Sequence, residues 1–216
     1  MVCRLFTIIL LTLITTSDLY FIKTAQEEKR IWTKPLIVPF VVLLYIQFTR
    51  QVNLTLLMAF LFSFLGDSFL LFSEKKLFFS AGIFAFLISH IWYIYTFTAS
   101  LAFNAISAVG YLFPAMPYLI YTWIFFKRLK PFLGHYIIPV ILYIVTIMGM
   151  SYASLLRFGG IRGHVFWLPF IGSLFFILSD SLLAIRNFRY RQKKGWVSVM
   201  LSYVLGQLLI AIGFMG

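Results

Sequence analysis

The chain has 216 residues, of which 62% are hydrophobic and 20% aromatic, while only 11% are charged. Soluble domains are about one quarter charged, and a soluble chain this apolar would expose large aggregation-prone patches, so the composition indicates a polytopic membrane protein. The net charge of +12 does not predict nucleic-acid binding, because the basic residues lie in short loops between apolar segments rather than on one face of a soluble domain.

Eight apolar segments predict an all-α bundle of about eight transmembrane helices. A helix rises about 1.5 Å per residue and the bilayer core is about 30 Å thick, so most of these segments are long enough to cross it. Their continuous apolar runs argue against a closed β-barrel, whose strands alternate. We expect one integral membrane domain over 1–216, with segments at 4–22, 35–49, 53–73, 77–98, 103–126, 134–154, 164–187 and 196–215.

The sequence contains no motif that indicates a cofactor. Cys3 is the single cysteine, so neither an internal disulfide nor a multi-cysteine metal site is expected. Because the chain has no phosphate-binding loop, no nucleophile elbow and no His-Glu-x-x-His motif, serine- and cysteine-hydrolase chemistry has no support.

The distribution of Lys and Arg predicts the orientation in the membrane. Loops after the first, third, fifth and seventh segments hold 14 of the 18 basic residues, whereas the opposite loops hold Arg4, Arg50, Arg157 and Arg162. Basic loops face the cytoplasm in membrane proteins, so both termini are expected to be extracytoplasmic. The 14 are Lys23, Lys29, Arg30, Lys34, Lys75, Lys76, Lys127, Arg128, Lys130, Arg186, Arg189, Arg191, Lys193 and Lys194.

Two of the six acidic residues stand in matching apolar surroundings. The sequences are Leu-Gly-Asp-Ser-Phe-Leu around Asp67 and Leu-Ser-Asp-Ser-Leu-Leu around Asp180. A carboxylate in the membrane costs about 2.5–3.5 kcal/mol and usually faces a bundle interior or cavity. Both acids are predicted at one depth, about 10 Å inside the cytoplasmic boundary. They are structural hydrogen-bonding groups, proton or ion carriers, or a catalytic pair.

Two more charged residues are predicted near the same membrane boundary. Asp18, close to the end of the first segment, is either a solvated interfacial acid or a site residue. Lys34 opens the second segment, where it either extends to water and headgroups or has a function. A functional Lys34 would bind a lipid phosphate or keep a neighbouring acid ionised.

Polar side chains in the fourth and eighth segments form pairs at helical spacing. His90 and Tyr93 share one helix face, and Tyr203 and Gln207 share another. A lone histidine in a helix is more often packed and hydrogen-bonded than a ligand. The predicted topology places His90 beyond the midplane, away from the acids, and this depth argues against a metal held by Asp67, Asp180 and His90.

Similar motifs at similar positions suggest two parallel four-helix halves, 1–100 and 101–216. Lys-Pro opens the second segment at Lys34 and the sixth at Lys130, and an Asp-Ser motif follows in each half. A proline in the first turn of a helix is also a plain structural reason for Lys-Pro. Pro114 and Pro117 predict a kink in the fifth segment.

Five motifs in order resemble the YhhN family of membrane proteins, whose characterised members are lysoplasmalogenases. The resemblance implies an eight-helix integral membrane enzyme, expected in a bacterial inner membrane, with the family's two aspartates at Asp67 and Asp180. The motifs are Lys34-Pro35-Leu36; Phe62-Ser63-Phe64-Leu65-Gly66-Asp67; Gly82-x-Phe84-Ala85-Phe86-x-x-Ser89-His90-x-x-Tyr93; Gly172-Ser173-Leu174-Phe175-Phe176-x-x-Ser179-Asp180-Ser181-Leu182; and Tyr203-x-x-Gly206-Gln207-Leu208-Leu209.

The reaction implied by this resemblance is hydrolysis of the vinyl ether of a lysophospholipid. Protonation of the outer alkenyl carbon gives an oxocarbenium ion, so one carboxyl group should be protonated and one carboxylate should lie near the cation. Either aspartate fits either role. The expected partners are the lysophospholipid and membrane lipids, with Lys34, His90, Tyr93, Ser179, Tyr203 and Gln207 as substrate-binding residues. A proton-coupled carrier or a lipid-binding scaffold would use the same carboxylates, and the sequence predicts no oligomeric state.

Overall fold

The computed structural model describes residues 2–99, 110, 112–192 and 195–215, and this part of the chain contains helices and turns without a β-strand. The predicted all-α architecture is confirmed. Within the described residues there are eight α-helices: α1 (Val2–Lys23), α2 (Arg30–Phe48), α3 (Leu54–Leu70), α4 (Lys76–Thr98), α5 (Met116–Leu129), α6 (Ile137–Leu156), α7 (His164–Ala184) and α8 (Val197–Gly213).

The lengths and surfaces of these helices are those of a multi-pass membrane protein. Large apolar side chains such as Phe84, Trp123 and Leu142 are more than half exposed on the outside of the bundle, where lipid would cover them. Helices α3 and α8 are apolar but shorter. Five helical segments are long and apolar enough to span a membrane: Val2–Lys23, Glu27–Phe48, Lys76–Thr98, Gly134–Gly159 and His164–Arg189.

Six helices form a closed ring in which each packs on its neighbours. Around the ring, α2 contacts α3, α3 contacts α4, α4 contacts α6, α6 contacts α7, α7 contacts α8, and α8 returns to α2. Helix α1 packs outside α2 and α8, and α5 packs outside α6. Asp67 on α3 and Asp180 on α7 therefore come from different sides of one ring.

Glycines let two pairs of helices approach closely. A Cβ atom added at Gly172 of α7 would lie 2.9 Å from the carbonyl oxygen of Gly206 on α8. A Cβ atom at Gly66 of α3 would lie 2.5 Å from the ring of Phe86 on α4. Small residues at such crossings are typical of membrane helix packing, where close backbone contact replaces the hydrophobic effect.

One predicted helix start was wrong, and it concerns the first Lys-Pro motif. Helix α2 begins at Arg30, not 35, because a 3₁₀ turn at Glu27–Lys29 leads directly into it and Arg30 forms ion pairs with neighbouring acids. Lys34 therefore lies in the second turn of α2. Lys130 instead lies in an exposed 3₁₀ turn, Lys130–Phe132, before the sixth helical segment, which begins at Gly134 as predicted and continues as α6 from Ile137.

The predicted fifth segment is described only in part, because 103–109 and 111 lie outside the described residues. A 3₁₀ turn at Phe113–Ala115 precedes α5, so Pro114 and Pro117 lie on either side of the junction. The predicted distortion is located at this junction. The two-half repeat stays a prediction.

Candidate active site

A cleft of about 1200 Å³ opens at one end of the bundle. Its rim comes from the turns that follow α1, α3, α5 and α7, which is the end predicted to be cytoplasmic. Five of the eight predicted site residues line the cleft: Lys34, Asp67, Ser179, Asp180 and Tyr203. His90, Tyr93 and Gln207 do not line it.

Asp67 is paired with a lysine on the neighbouring helix. The Lys34 Nζ atom lies 3.2 Å from Asp67 Oδ1, and both side chains are largely buried. The early start of α2 accounts for this pair, because it turns Lys34 toward α3 instead of leaving it at the helix end. The contact is the one that a functional Lys34 would need to keep a neighbouring acid ionised, and its role stays a prediction.

The second oxygen of Asp67 is a buried acceptor that is not satisfied. Asp67 Oδ2 has no hydrogen-bond partner among the described residues. Buried polar atoms are nearly always bonded in folded proteins, so an exception often marks a position where a ligand or water binds. Tyr203 faces the same carboxylate: its hydroxyl oxygen accepts from Gln207 Nε2, which leaves its O–H free to donate toward Asp67.

A chain of hydrogen bonds supports Asp67 from behind. The Tyr93 hydroxyl donates to Gln207 Oε1 at 2.7 Å, and Gln207 Nε2 donates to the Tyr203 hydroxyl at 3.0 Å. Tyr93 lies on α4 and the other two on α8, so the chain ties these helices together. Tyr93 and the predicted Tyr203–Gln207 pair therefore form one network, which orients Tyr203 toward the cleft, while His90 of the other predicted pair is not part of it.

Asp180 has a different environment, without a basic side chain in ion-pair distance among the described Lys and Arg residues. The Tyr143 hydroxyl donates a hydrogen bond to Asp180 Oδ2. His90 Nε2 lies 3.7 Å from the same oxygen, and neither ring nitrogen of His90 has a hydrogen-bond partner among the described residues. The imidazole packs edge-on against Tyr143 and Phe176.

The prediction that His90 lies away from Asp180 was wrong. The predicted depth of Asp180 in the membrane assumes that the seventh helix ends at 187. In the structure α7 is followed directly by a π-helical turn that ends at Arg189. Asp180 therefore lies farther from the cleft end of its helix than predicted. Its side chain spans the remaining distance to His90 on α4, across the interior of the ring.

Asp180 lies where the polar cleft meets an apolar pocket. The pocket has a volume of about 60 Å³ and is lined almost entirely by hydrophobic side chains, with Asp180 as the acidic residue among them. The cleft and the pocket share a small set of lining residues: Leu70, Phe79, Phe86, Asp180, Leu183, Asn187 and Phe188. Asp67 and Asp180 are near enough for their charges to interact.

The Ser179 hydroxyl group is hydrogen-bonded within the protein. Its Oγ atom donates to the backbone carbonyl of Val199 at 3.0 Å and so links α7 to α8. Although Ser179 lines the cleft, this bond leaves the hydroxyl hydrogen unavailable to a substrate. Its predicted role in substrate binding stays a prediction.

Asp18 is not a solvated interfacial acid, and that alternative was wrong. Its carboxylate is fully buried, receives two hydrogen bonds from Arg30 at 3.2 Å each, and a third from Thr33 at 2.9 Å. Arg30 also contacts Glu27, which accepts a bond from the Gly195 backbone N–H. These contacts join the turns after α1 and α7 beside the cleft.

The sequence reasoning missed Arg30 and Tyr143 as parts of the site. Arg30 was counted only as one of many loop cations, although its position at the start of the helix that follows Asp18 could have indicated a pair. Tyr143 carries no comparable signal, because one tyrosine among many aromatic residues in an apolar helix is most often a packing residue.

In the described part of the chain, no three His, Cys, Asp or Glu residues are grouped to hold a metal ion.

This arrangement combines two chemically different carboxyl groups in one cleft. Asp67 has a cation beside it and a free oxygen, as suits an ionised group that stabilises positive charge or activates water. Asp180 has neutral neighbours at the edge of an apolar pocket, as suits a proton donor, because an unpaired buried charge is costly. Acid–base chemistry is the activity that the geometry supports.

The comparisons with known proteins agree with the motifs. The model of the YhhN family matches residues 29–214, which is most of the chain. No curated protein and no solved structure matches it. The family match covers the Lys34-Pro35 motif, both aspartates and the Tyr203 motif, and the protein therefore belongs to the YhhN family.

Proposed function

We propose that the protein is a lysoplasmalogenase-like hydrolase that cleaves the vinyl ether of lysoplasmenylethanolamine or lysoplasmenylcholine to a fatty aldehyde and a glycerophospho-base. Membership of the YhhN family supports a hydrolase of this kind, because the family is associated with lysoplasmalogenase activity. The structural observation that carries the proposal is the position of Asp180 between a polar cleft and an apolar pocket. A lysoplasmalogen has the same order, with its vinyl ether between a polar headgroup and a hydrocarbon chain.

The first chemical step is proton transfer to carbon. The protonated carboxyl of Asp180 gives its proton to the outer alkenyl carbon, whose double-bond electrons form the new C–H bond, and an oxocarbenium ion results. The Asp67 carboxylate stabilises this cation through its unpartnered Oδ2 atom. Lys34 keeps Asp67 ionised before the cation forms.

Water completes the reaction, and both carboxyl groups return to their starting states. As water adds to the inner alkenyl carbon, Asp67 accepts one of its protons, which leaves a neutral hemiacetal. The hemiacetal hydroxyl then gives its proton to Asp180 while Asp67 protonates the departing glycerol oxygen. The products are the fatty aldehyde and the glycerophospho-base, and no redox step is involved.

The test is aldehyde release from lysoplasmenylethanolamine by detergent-purified protein, with the saturated ether lipid as the unreactive control. Turnover in D₂O should place one deuterium on the carbon next to the aldehyde, provided the aldehyde is reduced as it forms. Asp180→Asn should lower the rate about 10³-fold, since it removes the acid while keeping the shape. Aldehyde without solvent deuterium would contradict protonation at carbon.

A carrier would give a different pattern. It requires sealed vesicles and a gradient, so activity in detergent separates the two functions. If folded wild-type protein released no aldehyde from either headgroup class, proton-coupled flux in proteoliposomes would become the better-supported function.

The proposal includes a cleft that opens to the cytoplasm of a bacterial cell, in the inner membrane, with both termini outside. The excess of Lys and Arg around the cleft end supports this orientation. A reporter fused after Gly216 should report an extracytoplasmic position, and a cytoplasmic signal would contradict it.

A further inference from the structure

Of the three cations in the cleft wall, one forms no ion pair with the described acidic residues. The cleft wall brings Arg30, Lys34 and Arg186 close enough for their charges to influence one another. Arg30 binds Asp18 and Glu27, and Lys34 binds Asp67. Arg186 forms no ion pair with the described acidic residues, although Glu27 is near enough to affect it electrostatically.

The Arg186 side chain is held in place while its outer nitrogens stay available. Its Nε atom donates to the side-chain oxygen of Asn187 at 3.0 Å. No described residue accepts a hydrogen bond from Nη1 or Nη2, and the side chain lines the cleft. A guanidinium fixed at Nε presents two parallel N–H donors, which is the geometry that binds two oxygens of a phosphate.

The local backbone accounts for this orientation. Arg186 is the second residue of the π-helical turn Ile185–Arg189, which continues α7 beyond Ala184. A π turn widens the helix and changes the direction of the side chains that follow, and such turns are frequent at functional sites. Arg189, in the same turn, does not line the cleft and lies over the rings of Phe132 and Tyr190.

The spacing between Arg186 and Asp180 suits the proposed substrate. Six residues separate them along a helix, an axial distance of about 9 Å. Seven bonds join the outer alkenyl carbon of a lysoplasmalogen to its phosphorus, and an extended chain of that length spans about 8 Å. A lipid with its alkenyl carbon at Asp180 would therefore place its phosphate near Arg186.

We propose that Arg186 binds the phosphate of the lysophospholipid and thereby sets which carbon reaches Asp180. This inference rests on the proposed function. It assigns the phosphate contact to Arg186 instead of Lys34, because Lys34 is ion-paired with Asp67 and Arg186 has no ion pair with the described acidic residues. Lys76 and Arg191 also line the cleft, but they are exposed at its rim and suit attraction of anionic lipid more than fixed binding. The chemistry recognised is a phosphate ester, from a lipid headgroup rather than free phosphate.

The test measures binding and not turnover. Purified protein in detergent is titrated with the saturated hexadecyl ether of glycerophosphoethanolamine, which cannot be hydrolysed, and with hexadecyl glycerol, which lacks the phosphate. Wild type should bind the phospholipid at least about tenfold more tightly, and Arg186→Gln should remove this preference without changing the affinity for hexadecyl glycerol. Arg186→Lys should keep part of it, because an ammonium retains the charge without the paired donors.

Arg189→Gln is the matched control, since it removes the same charge from the same turn outside the cleft. It should leave the phosphate preference intact, and an equal loss in both variants would overturn a specific Arg186 site. Equal binding of the two lipids by wild type would overturn it as well. Displacement by inorganic phosphate would assign the site to free phosphate and overturn the lipid assignment.

The outcomes separate this inference from the proposed hydrolysis. Phosphate-dependent binding without aldehyde release would leave Arg186 as a lipid phosphate site in a protein with another activity. Aldehyde release without phosphate-dependent binding would keep the hydrolase and remove this role of Arg186.

Discussion

Asp67 and Asp180 share a sequence motif, but they have opposite surroundings. Asp67 lies 3.2 Å from the Lys34 ammonium and has one oxygen without a partner. Asp180 receives a hydrogen bond from Tyr143, lies beside an uncharged aromatic cluster, and borders an apolar pocket. The proposed mechanism uses this difference, with Asp67 as the ionised carboxylate and Asp180 as the neutral acid.

The difference teaches that the motif supplies only the carboxyl group, while other helices decide what it does. Lys34 comes from α2, and Tyr143 comes from α6, which has no equivalent lysine facing Asp180. The lysine that matches Lys34 in sequence, Lys130, is exposed in a turn. Two similar acids can therefore hold different protonation states in one cleft, which is the requirement of the proposed reaction.

The largest expected effect on stability comes from breaking the ion pair at Asp67. Lys34→Met leaves a buried carboxylate without its cation, which should lower the free energy of unfolding by about 3 kcal/mol and also reduce aldehyde release. The added change Asp67→Asn should restore most of the stability but not the activity. Thermal unfolding in detergent measures the first effect and the aldehyde assay the second.

Lys130→Met is the matched control for this prediction. It removes the lysine of the other Lys-Pro motif, which lies exposed in its 3₁₀ turn. Stability and activity should stay close to wild type, because exposed charges contribute little. Equal losses in the two variants would show that the Lys-Pro motif, rather than the pair with Asp67, is what matters.

An intermediate effect is expected at Asp180. Tyr143→Phe removes the hydroxyl that orients the carboxyl group, and aldehyde release should fall about tenfold with little change in unfolding temperature. Tyr121→Phe removes a hydroxyl bonded to Ser181, the next residue in the chain, and should leave activity within about twofold of wild type. Wild-type activity in Tyr143→Phe would argue against a positioning role for Tyr143.

The smallest effect is expected at Ser179. Ser179→Ala breaks the link to the Val199 carbonyl and should cost about 1 kcal/mol or less of stability, with KM unchanged. Ser68→Ala serves as the control, since among the described residues the Ser68 hydroxyl bonds only to the carbonyl of Phe64 in its own helix. A raised KM in Ser179→Ala alone would instead place Ser179 in contact with the substrate.

The sequence predicted the features that depend on composition and local pattern. Apolar segments located the helices, and two aspartates in apolar runs identified the acid pair, because a carboxyl group at that depth is expensive wherever the helix packs. The sequence identified Tyr93 and the Tyr203–Gln207 pair as polar positions on two helices. It did not predict the hydrogen bonds between them, because these depend on how α4 packs against α8.

Contacts that depend on where helices end and how they tilt could not be predicted from the sequence pattern. Lys34 reaches Asp67 because α2 starts five residues before Pro35, and that start depends on Arg30 meeting Asp18 and Glu27. His90 reaches Asp180 across the ring, a distance that counting residues along separate helices does not give. The side chains that distinguish the two acids come from other helices and are distant in sequence.

The most direct test of the different states of Asp67 and Asp180 is infrared spectroscopy of the carboxyl groups at neutral pH, which requires no substrate. A protonated carboxyl group has a C=O stretching band that an ionised carboxylate lacks. We predict that the wild-type protein in detergent has this band, that it shifts in D₂O, and that Asp180→Asn removes it. A band that persists in Asp180→Asn and disappears in Asp67→Asn would reverse the assignment of acid and carboxylate and contradict the proposed mechanism.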